Sequence, residues 1–308
     1  MEKNDYDVVI IGGGPAGLTA GIYAKRAGLS ALLAEKHTPG GQIMVTDWIE
    51  NYPGFPDGLA GYDLTMKMEQ QAKNFGLEIV QADVQSIKTE NNIKEIVFTD
   101  KTIKAKSVII ASGCSPKKLG VPGENALFGK GVSTCATCDA MFFRDMDVVA
   151  VGGGDTAVQE ALFLTKFVNK VYLVHRRDKL RAAKMLQDRA FANDKIEFVW
   201  DSVAESVNGE KGVESVDVKN VKTGETRNIK AQGCFIWVGT IPNTEFLNND
   251  IKVDDQGFII TDTSMKTSVE GIFAAGDVRN TPLRQVATAV GDAAIAAFEA
   301  DQYIESCK

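Results

Sequence analysis

Residues 8–14 read VVIIGGG and residues 148–154 read VVAVGGG. The same apolar run into three glycines thus occurs twice, 140 positions apart (Gly12 and Gly152), and a repeat at that offset means two copies of one supersecondary unit. Each copy reads as a strand, a tight turn and the opening of a helix. Ala157, Val158, Ala161, Leu162 and Thr165 of the second copy fall at helical spacing. A further short strand follows each helix, ALLAEK ending at Lys36 and VYLVHRR ending at Arg177, and completes two βαβ units.

Working outward, each half continues in β-rich runs: LEIVQADVQSI, IKEIVFT and TIKAKSVIIA in the first, and IEFVW, GVESVDVKNV and TRNIKAQGCFIWVG in the second. Each half also closes on a strand running into glycine, Val108–Gly113 and Cys234–Gly239. Residues 245–308 hold the apolar run IFAAGDV and an alanine-rich helical stretch from Arg284 to Ile304, but no glycine-rich turn, so this tail is expected to complete the first unit. The expected fold is α/β with two Rossmann-like domains. Residues 118–244 form one, inserted into a discontinuous other made of 1–117 plus 245–308, with short crossovers near Ser115–Gly120 and Thr240–Glu245.

Bulk composition agrees with two packed domains. The 308 residues are 44% hydrophobic and 24% charged, which excludes a disordered chain. A net charge of −7 argues against a nucleic-acid partner or an anionic membrane surface. No apolar run approaches the ~18 residues of a spanning helix, and the strand pattern begins too early for a secretory signal, so the expected location is the cytoplasm. Five cysteines, an odd number thinly spread, do not make an extracellular disulfide framework.

Gly12-Gly13-Gly14-Pro15-Ala16-Gly17 fits G-x-G-x-x-G between a strand and a helix. The first glycine permits the turn, the second lets a pyrophosphate approach the backbone, and the third lets helix and strand pack closely. Glu35 closes the second strand, where an acid accepts hydrogen bonds from ribose hydroxyls. In the second copy, Gly152-Gly153-Gly154-Asp155-Thr156-Ala157, alanine takes the third glycine's place, and the 140-residue offset puts His175 where Glu35 stands. Arg176, Arg177 and Arg181 follow. A carboxylate repels a ribose 2′-phosphate, whereas arginines hold one bidentately, so this site reads as NADPH-binding. Two dinucleotide sites of opposite charge preference suggest FAD in the first and NADPH in the second.

Cys135-Ala136-Thr137-Cys138 has C-x-x-C spacing, open to a redox disulfide, a zinc half-site or two inert thiols. Zinc needs a second ligand pair. Cys114, Cys234, Cys307, His37 and His175 are too scattered to supply one, which favours the redox pair and no metal. Asp139 follows directly and reads either as a proton donor to the departing sulfur or as a turn aspartate.

With these residues in view, essentially the whole chain resembles the low-molecular-weight bacterial-type thioredoxin reductases. The resemblance rests on GGGPAG (12–17), GGQ (40–42), ENYPGF (50–55), CATCD (135–139), GGGDTA (152–157), HRRDKLRA (175–182), GTIPNT (239–244) and IFAAGDV (272–278) with RQ (284–285). It implies a homodimer that passes hydride from NADPH to FAD, reduces Cys135–Cys138 and exchanges with thioredoxin or a thioredoxin-like protein. Cys138 is then the flavin-proximal sulfur and Cys135 the attacking thiolate. It further implies flavin contacts from Gly40, Gly41, Gln42, Thr46, Asn51, Val84, Ala111, Gly113, Gly276, Asp277, Arg284, Gln285, Val286 and Ala287. To the pyridine-nucleotide site it adds Gly239. In that family the NADPH domain rotates about the double crossover, presenting nicotinamide and cysteines in turn.

Departures from the family pattern are Ser112, Ala140 and Leu283, which bear on flavin environment and loop geometry. Two rival enzymes share the build. A ferredoxin-dependent flavin thioredoxin reductase predicts loss of the second glycine turn or the arginines, and a ferredoxin-NADP reductase needs no C-x-x-C. A reductase of another dithiol protein is a further alternative. A non-catalytic FAD/NADP redox sensor would have no need of Cys135, Cys138 and Asp139.

Overall fold

A computed structural model describes residues 5–46, 48–90 and 92–307. The chain forms two compact units, Met1–Ser115 with Ile241–Lys308, and Pro116–Thr240. It runs through β1 (Asp5–Ile11), α1 (Pro15–Arg26), β2 (Ala31–Glu35), α2 (Gly61–Asn74), β3 (Glu78–Gln81), β4 (Val84–Glu90), β5 (Ile93–Phe98) and β6 (Thr102–Ile110). It leaves the first unit through β7 (Cys114–Pro116). The second unit contains α3 (Glu124–Leu127), β8 (Val132–Ser133), α4 (Ala136–Asp139), β9 (Asp147–Gly152), α5 (Asp155–Leu164), β10 (Lys170–Val174), α6 (Lys184–Phe191), β11 (Ile196–Val199), β12 (Ser202–Asn208), β13 (Ser215–Asn220), β14 (Thr226–Lys230) and β15 (Gly233–Trp237). The return passes through β16 (Thr240–Pro242) to β17 (Ile272–Ala274) and α7 (Val286–Ser306).

In the first unit β3, β2, β1, β6 and β17 lie parallel, while β5 and β4 extend β6 as an antiparallel meander. Strand β6 serves both: Ile103 and Ala105 face β5, and Val108 to Ile110 face β17. In the second unit β11-β10-β9-β15-β8 form an all-parallel sheet beside the antiparallel β12-β13-β14. There the corresponding stretch is cut into β14 and β15 at Ala231–Gln232.

The repeat extends to the packing. Strand side chains alternate between faces, and both faces of a parallel sheet are covered, so these strands are apolar throughout. Val8 and Ile10 enter the core beneath α1 and α7, and Val9 and Ile11 the opposite one. In the second unit Val148 and Ala150 pack beneath α5, and Val149 and Val151 against the antiparallel strands. Alanines at 289, 293, 296, 297 and 300 line the buried side of α7 and let it lie close against α1.

The chain regains the first unit at Ile241, earlier than the residue 245 expected from sequence, and leaves it after Ser115. Asn243 accounts for the early return. Its Nδ2 donates to the Ser112 carbonyl at 2.8 Å, its Oδ1 accepts from Ser115 Oγ at 2.6 Å, and its backbone N–H donates to Gly113 at 3.0 Å. The IFAAGDV strand is also shorter than its apolar run, because Gly276 takes φ +75° and turns the chain into a 3-10 segment over Gly276–Val278.

Candidate active site

In open α/β sheets ligands bind beyond the carboxyl ends of the parallel strands. In the first unit the glycine turn after β1 lies there. Gly12 adopts φ +104°, and a Cβ at this position would collide with the Ala111 carbonyl. A Cβ at Gly17 would strike the Gly12 carbonyl, so α1 packs onto β1 only without one. Gly14 differs. It has φ −74°, and a Cβ would meet nothing nearer than Gly41 Cα at 3.8 Å, an ordinary contact, so the N-terminus of α1, where Pro15 takes the first turn and Ala16 is buried, is uncrowded.

Glu35 reaches back to this turn, its Oε2 accepting the Gly13 N–H at 2.6 Å and its Oε1 the His37 N–H at 2.8 Å. The following loop is clamped to the same place. Gly40 donates to the Gly13 carbonyl at 2.8 Å, Gly41 lies beside Gly14, and Gln42 Nε2 donates to the Cys114 carbonyl. The Thr46 carbonyl accepts the Gly61 N–H at 3.0 Å and anchors the start of α2. Val84 is buried at the head of β4. Ala111 donates to Ile11 at 2.8 Å, and beside Gly113 there is open space.

A second helix start meets the first at Gly276, where a Cβ would approach Ala16 Cβ at 3.0 Å and Ala289 Cβ at 3.4 Å. Gln285 caps α7 in a reciprocal capping box with Thr288, and Asn51 Nδ2 donates to Gln285 Oε1 at 2.9 Å. Val286 is buried and Ala287 exposed on the first turn. The Arg284 guanidinium lies 3.9 Å over the Phe258 ring and donates to the carbonyls of Asp277 and Arg279. Burial pushes the Asp277 carboxyl above the ordinary carboxylate range; the Arg284 charge opposes this and Asp292 adds to it. Of the three departures, Ser112 Oγ donates to the Asn243 carbonyl at 2.8 Å, Ala140 is buried, and Leu283 is exposed. Two helix N-termini, an uncrowded Gly14, open space over Gly113, and carboxylates at Glu35 and Asp277 fit FAD, with its pyrophosphate and its many hydroxyls.

The second unit repeats the plan with other chemistry. His175 lies against Gly153 as Glu35 lies against Gly13, and a Cβ on Gly153 would collide with its imidazole. A Cβ on Gly152 would collide with Ala157, and one on Gly154 would meet nothing within 4 Å. His175 is 5% exposed, with Nε2 buried and without a hydrogen-bond partner. Burial first, then the Arg181 charge, hold it below the usual histidine range, so the ring is neutral at neutral pH.

The loop beyond is pinned to the turn: Arg181 N–H donates to Gly153 at 2.7 Å and Ala183 N–H to Asp155 Oδ1 at 2.6 Å. Thr156 follows in the first turn of α5. Arg176, Arg177 and Arg181 are exposed, and none is in an ion pair among the described residues. The nearby carboxylates Asp178 and Asp201 are taken by Lys222, at 3.2 and 3.0 Å. Gly239, at φ +120°, borders open space past β15 as Gly113 does past β6. This donor set fits the phosphates of NADPH.

Cys135 and Cys138 form a disulfide with their Cα atoms 5.4 Å apart. Cys135 caps α4, its Sγ accepting the Cys138 N–H at 3.1 Å. Ser133 Oγ accepts the Cys135 N–H at 3.0 Å, and Trp237 Nε1 donates to Thr134 at 3.0 Å. Cys138 is exposed, and Cys135 and Asp139 are half-buried. Glu160 of α5, which sequence reasoning did not single out, accepts the Ala136 N–H at 3.2 Å. Its one signal is a carboxylate set between the buried Val158 and Ala161.

Cys114 and Cys234 are buried free thiols, and Cys307 is an exposed one. Burial pushes Cys234 up to about 12, which keeps it unreactive. Among the described residues no group of three or more His, Cys, Asp or Glu is placed to hold a metal, and no helix is long and apolar enough to cross a membrane.

The sequence matches the pyridine nucleotide-disulphide oxidoreductase family over residues 6–293. It is 49% identical over 310 residues to a thioredoxin reductase of Peptoclostridium acidaminophilum, covering 99% of this chain and 98% of that one. The crystal structure of the Lactococcus lactis thioredoxin reductase superimposes with a TM-score of 0.95 at 47% identity, over 98% of this chain and 99% of that one. The T. acidophilum thioredoxin reductase gives 0.94 at 36% identity, over 99% and 100%. With likeness of this degree over the full length, the chain belongs to the pyridine nucleotide-disulphide oxidoreductases that use FAD and NADPH, and within them to the thioredoxin reductases.

Proposed function

We propose that the chain is a thioredoxin-disulfide reductase whose catalytic residues are Cys135, Cys138 and Asp139. The observation that carries this reading is the Cys135–Cys138 disulfide in the same unit as a glycine turn flanked by three exposed arginines. FAD supplies the two-electron relay from NADPH to the disulfide. Glu35, Asp277 and the N-termini of α1 and α7 hold and orient that group in the first unit. In the second, Gly154 admits the NADPH pyrophosphate, and Arg176, Arg177 and Arg181 receive the 2′-phosphate.

Opening the disulfide takes up two electrons and gives two thiolates, one of which takes up a proton while the other remains the nucleophile. Asp139, half-buried and next to Cys138 in the chain, is the donor we assign to that proton. Cys135 then attacks the partner's disulfide, a step that depends on its thiolate fraction and access. Met141 and Phe142, exposed just past the pair, offer an apolar surface to a thioredoxin or thioredoxin-like partner. The intact arginine cluster and glycine turn favour NADPH over ferredoxin as donor. Exposed Tyr62 and Met66 on α2, and Ile295 and Phe298 on α7, support a homodimer, and the cytoplasm is the proposed location.

An anaerobic titration with NADPH, followed by a coupled assay with thioredoxin, tests the reading. Bleaching of the visible flavin band and thioredoxin-dependent NADPH consumption, lost in Cys135→Ser with the bleaching kept, are expected. Equal bleaching by NADH, or turnover in Cys135→Ser, overturns it.

A further inference from the structure

One carboxylate touches the redox turn and has no part in the scheme above. Glu160 lies midway along α5, and its Oε2 accepts the Ala136 N–H at 3.2 Å. That N–H belongs to the peptide joining Cys135 to α4, so a charged group adjoins the residue that carries the attacking sulfur. Three further anchors of the turn are uncharged: Ser133 on the Cys135 N–H, the Trp237 indole on the Thr134 carbonyl, and the Cys138 N–H on Cys135 Sγ. A neutral oxygen would secure the Ala136 N–H too. What a carboxylate adds is its charge.

We propose that Glu160 is a positioning residue that holds Cys135 in place and, through its charge, limits the Cys135 thiolate population. The inference rests on the role proposed for the cysteine pair. Reduction leaves negative charge on sulfur, and two groups then oppose each other. The Cys138 N–H favours the Cys135 thiolate, while a carboxylate nearby disfavours it. The balance matters because a thiol with too low a pKa is a poor nucleophile, and the best attacking thiol titrates near ambient pH. The same helix that opens at the Gly154 turn therefore also tunes the sulfur chemistry.

The test is the pH dependence of Cys135 alkylation by iodoacetamide in the full-length, FAD-loaded enzyme reduced with dithiothreitol, read at the Cys135 peptide by mass spectrometry. Glu160→Gln keeps an oxygen for the Ala136 N–H and removes the charge. Its midpoint is expected to fall by about one pH unit, while that of Glu160→Asp stays near wild type. A Glu160→Gln profile that overlays wild type overturns the proposal, as does a Glu160→Asp midpoint that moves as far as that of Glu160→Gln. Because dithiothreitol supplies the electrons, this result stands apart from the proposed function. Failure of NADPH to release the two thiols in wild type would overturn that function and leave the Glu160 comparison to be decided on its own.

Discussion

Glu35 Oε2 accepts the backbone N–H of Gly13 at 2.6 Å, tying the end of β2 to the turn that follows β1. The other carboxylate oxygen holds the His37 N–H at 2.8 Å, so one side chain fixes two segments around the proposed adenosine end of FAD. Hydrogen bonds to a charged group contribute about 1.5–3 kcal/mol each. Glu35→Ala is therefore expected to weaken FAD binding by about tenfold to a hundredfold, with Glu35→Gln in between. Flavin fluorescence released on dilution measures this, and full retention of FAD by Glu35→Ala would refute the role.

The glycines of each turn divide by what a methyl group would meet. Gly14 and Gly154 have negative φ, −74° and −93°, and a Cβ would make only an ordinary contact at 3.8 Å in the first and none within 4 Å in the second. Gly14→Ala and Gly154→Ala should fold with stability within about 0.5 kcal/mol of wild type. The first should lose FAD affinity and the second should raise the KM for NADPH, because the methyl occupies room that only a ligand needs. Gly12→Ala, at φ +104° and against the Ala111 carbonyl, should instead lower the yield of folded protein. Thermal melts of the flavin-free variants separate the two classes.

The repeat was legible because it is written in side chains that cannot be exchanged: glycines at the turn, and Glu35 or His175 at the matching strand end. The 140-residue offset aligned this pair, and in space each lies against the central glycine of its own turn. What escaped the sequence depends on packing between segments distant in the chain. Glu160 lies in an ordinary helix, and only the fold brings its carboxylate to Ala136, 24 residues away. Asn243 likewise gave no local sign that its amide would bind the ends at Ser112 and Ser115 and so fix where the chain re-enters the first unit. The burial of His175 could not be read from its place between the apolar run VYLV (171–174) and the charged Arg176 to Lys179.

Arg176, Arg177 and Arg181 are exposed and, among the described residues, in no ion pair, so their removal should leave the fold intact. Replacing Arg176 and Arg181 together by alanine removes charge-assisted bonds to a phosphate, and the KM for NADPH should rise by roughly a hundredfold. NADH has no 2′-phosphate, and its KM should move less than about twofold. Steady-state assays with both nucleotides give the ratio. Equal losses for the two would assign the arginines to something other than the 2′-phosphate.

Asp277 gives a prediction with opposite signs in the flavin-free and flavin-bound protein. Burial raises its carboxyl in the folded state above the unfolded value of 3.8, so folding favours the protonated form. Its stability contribution is then fully present below the unfolded value and is lost as pH rises through the folded one. At neutral pH the native state carries a half-buried charge that Arg284 only partly offsets. Asp277→Asn removes it, so the flavin-free variant should melt higher than wild type at pH 7, and the gain should shrink as pH falls through the folded value. With FAD the order should reverse, because the asparagine loses the charged acceptor proposed for the ribityl hydroxyls. Melting curves at several pH values, with and without FAD, test both halves, and a flavin-free Asp277→Asn protein that melts below wild type at pH 7 would show the carboxylate to be satisfied by Arg284 alone.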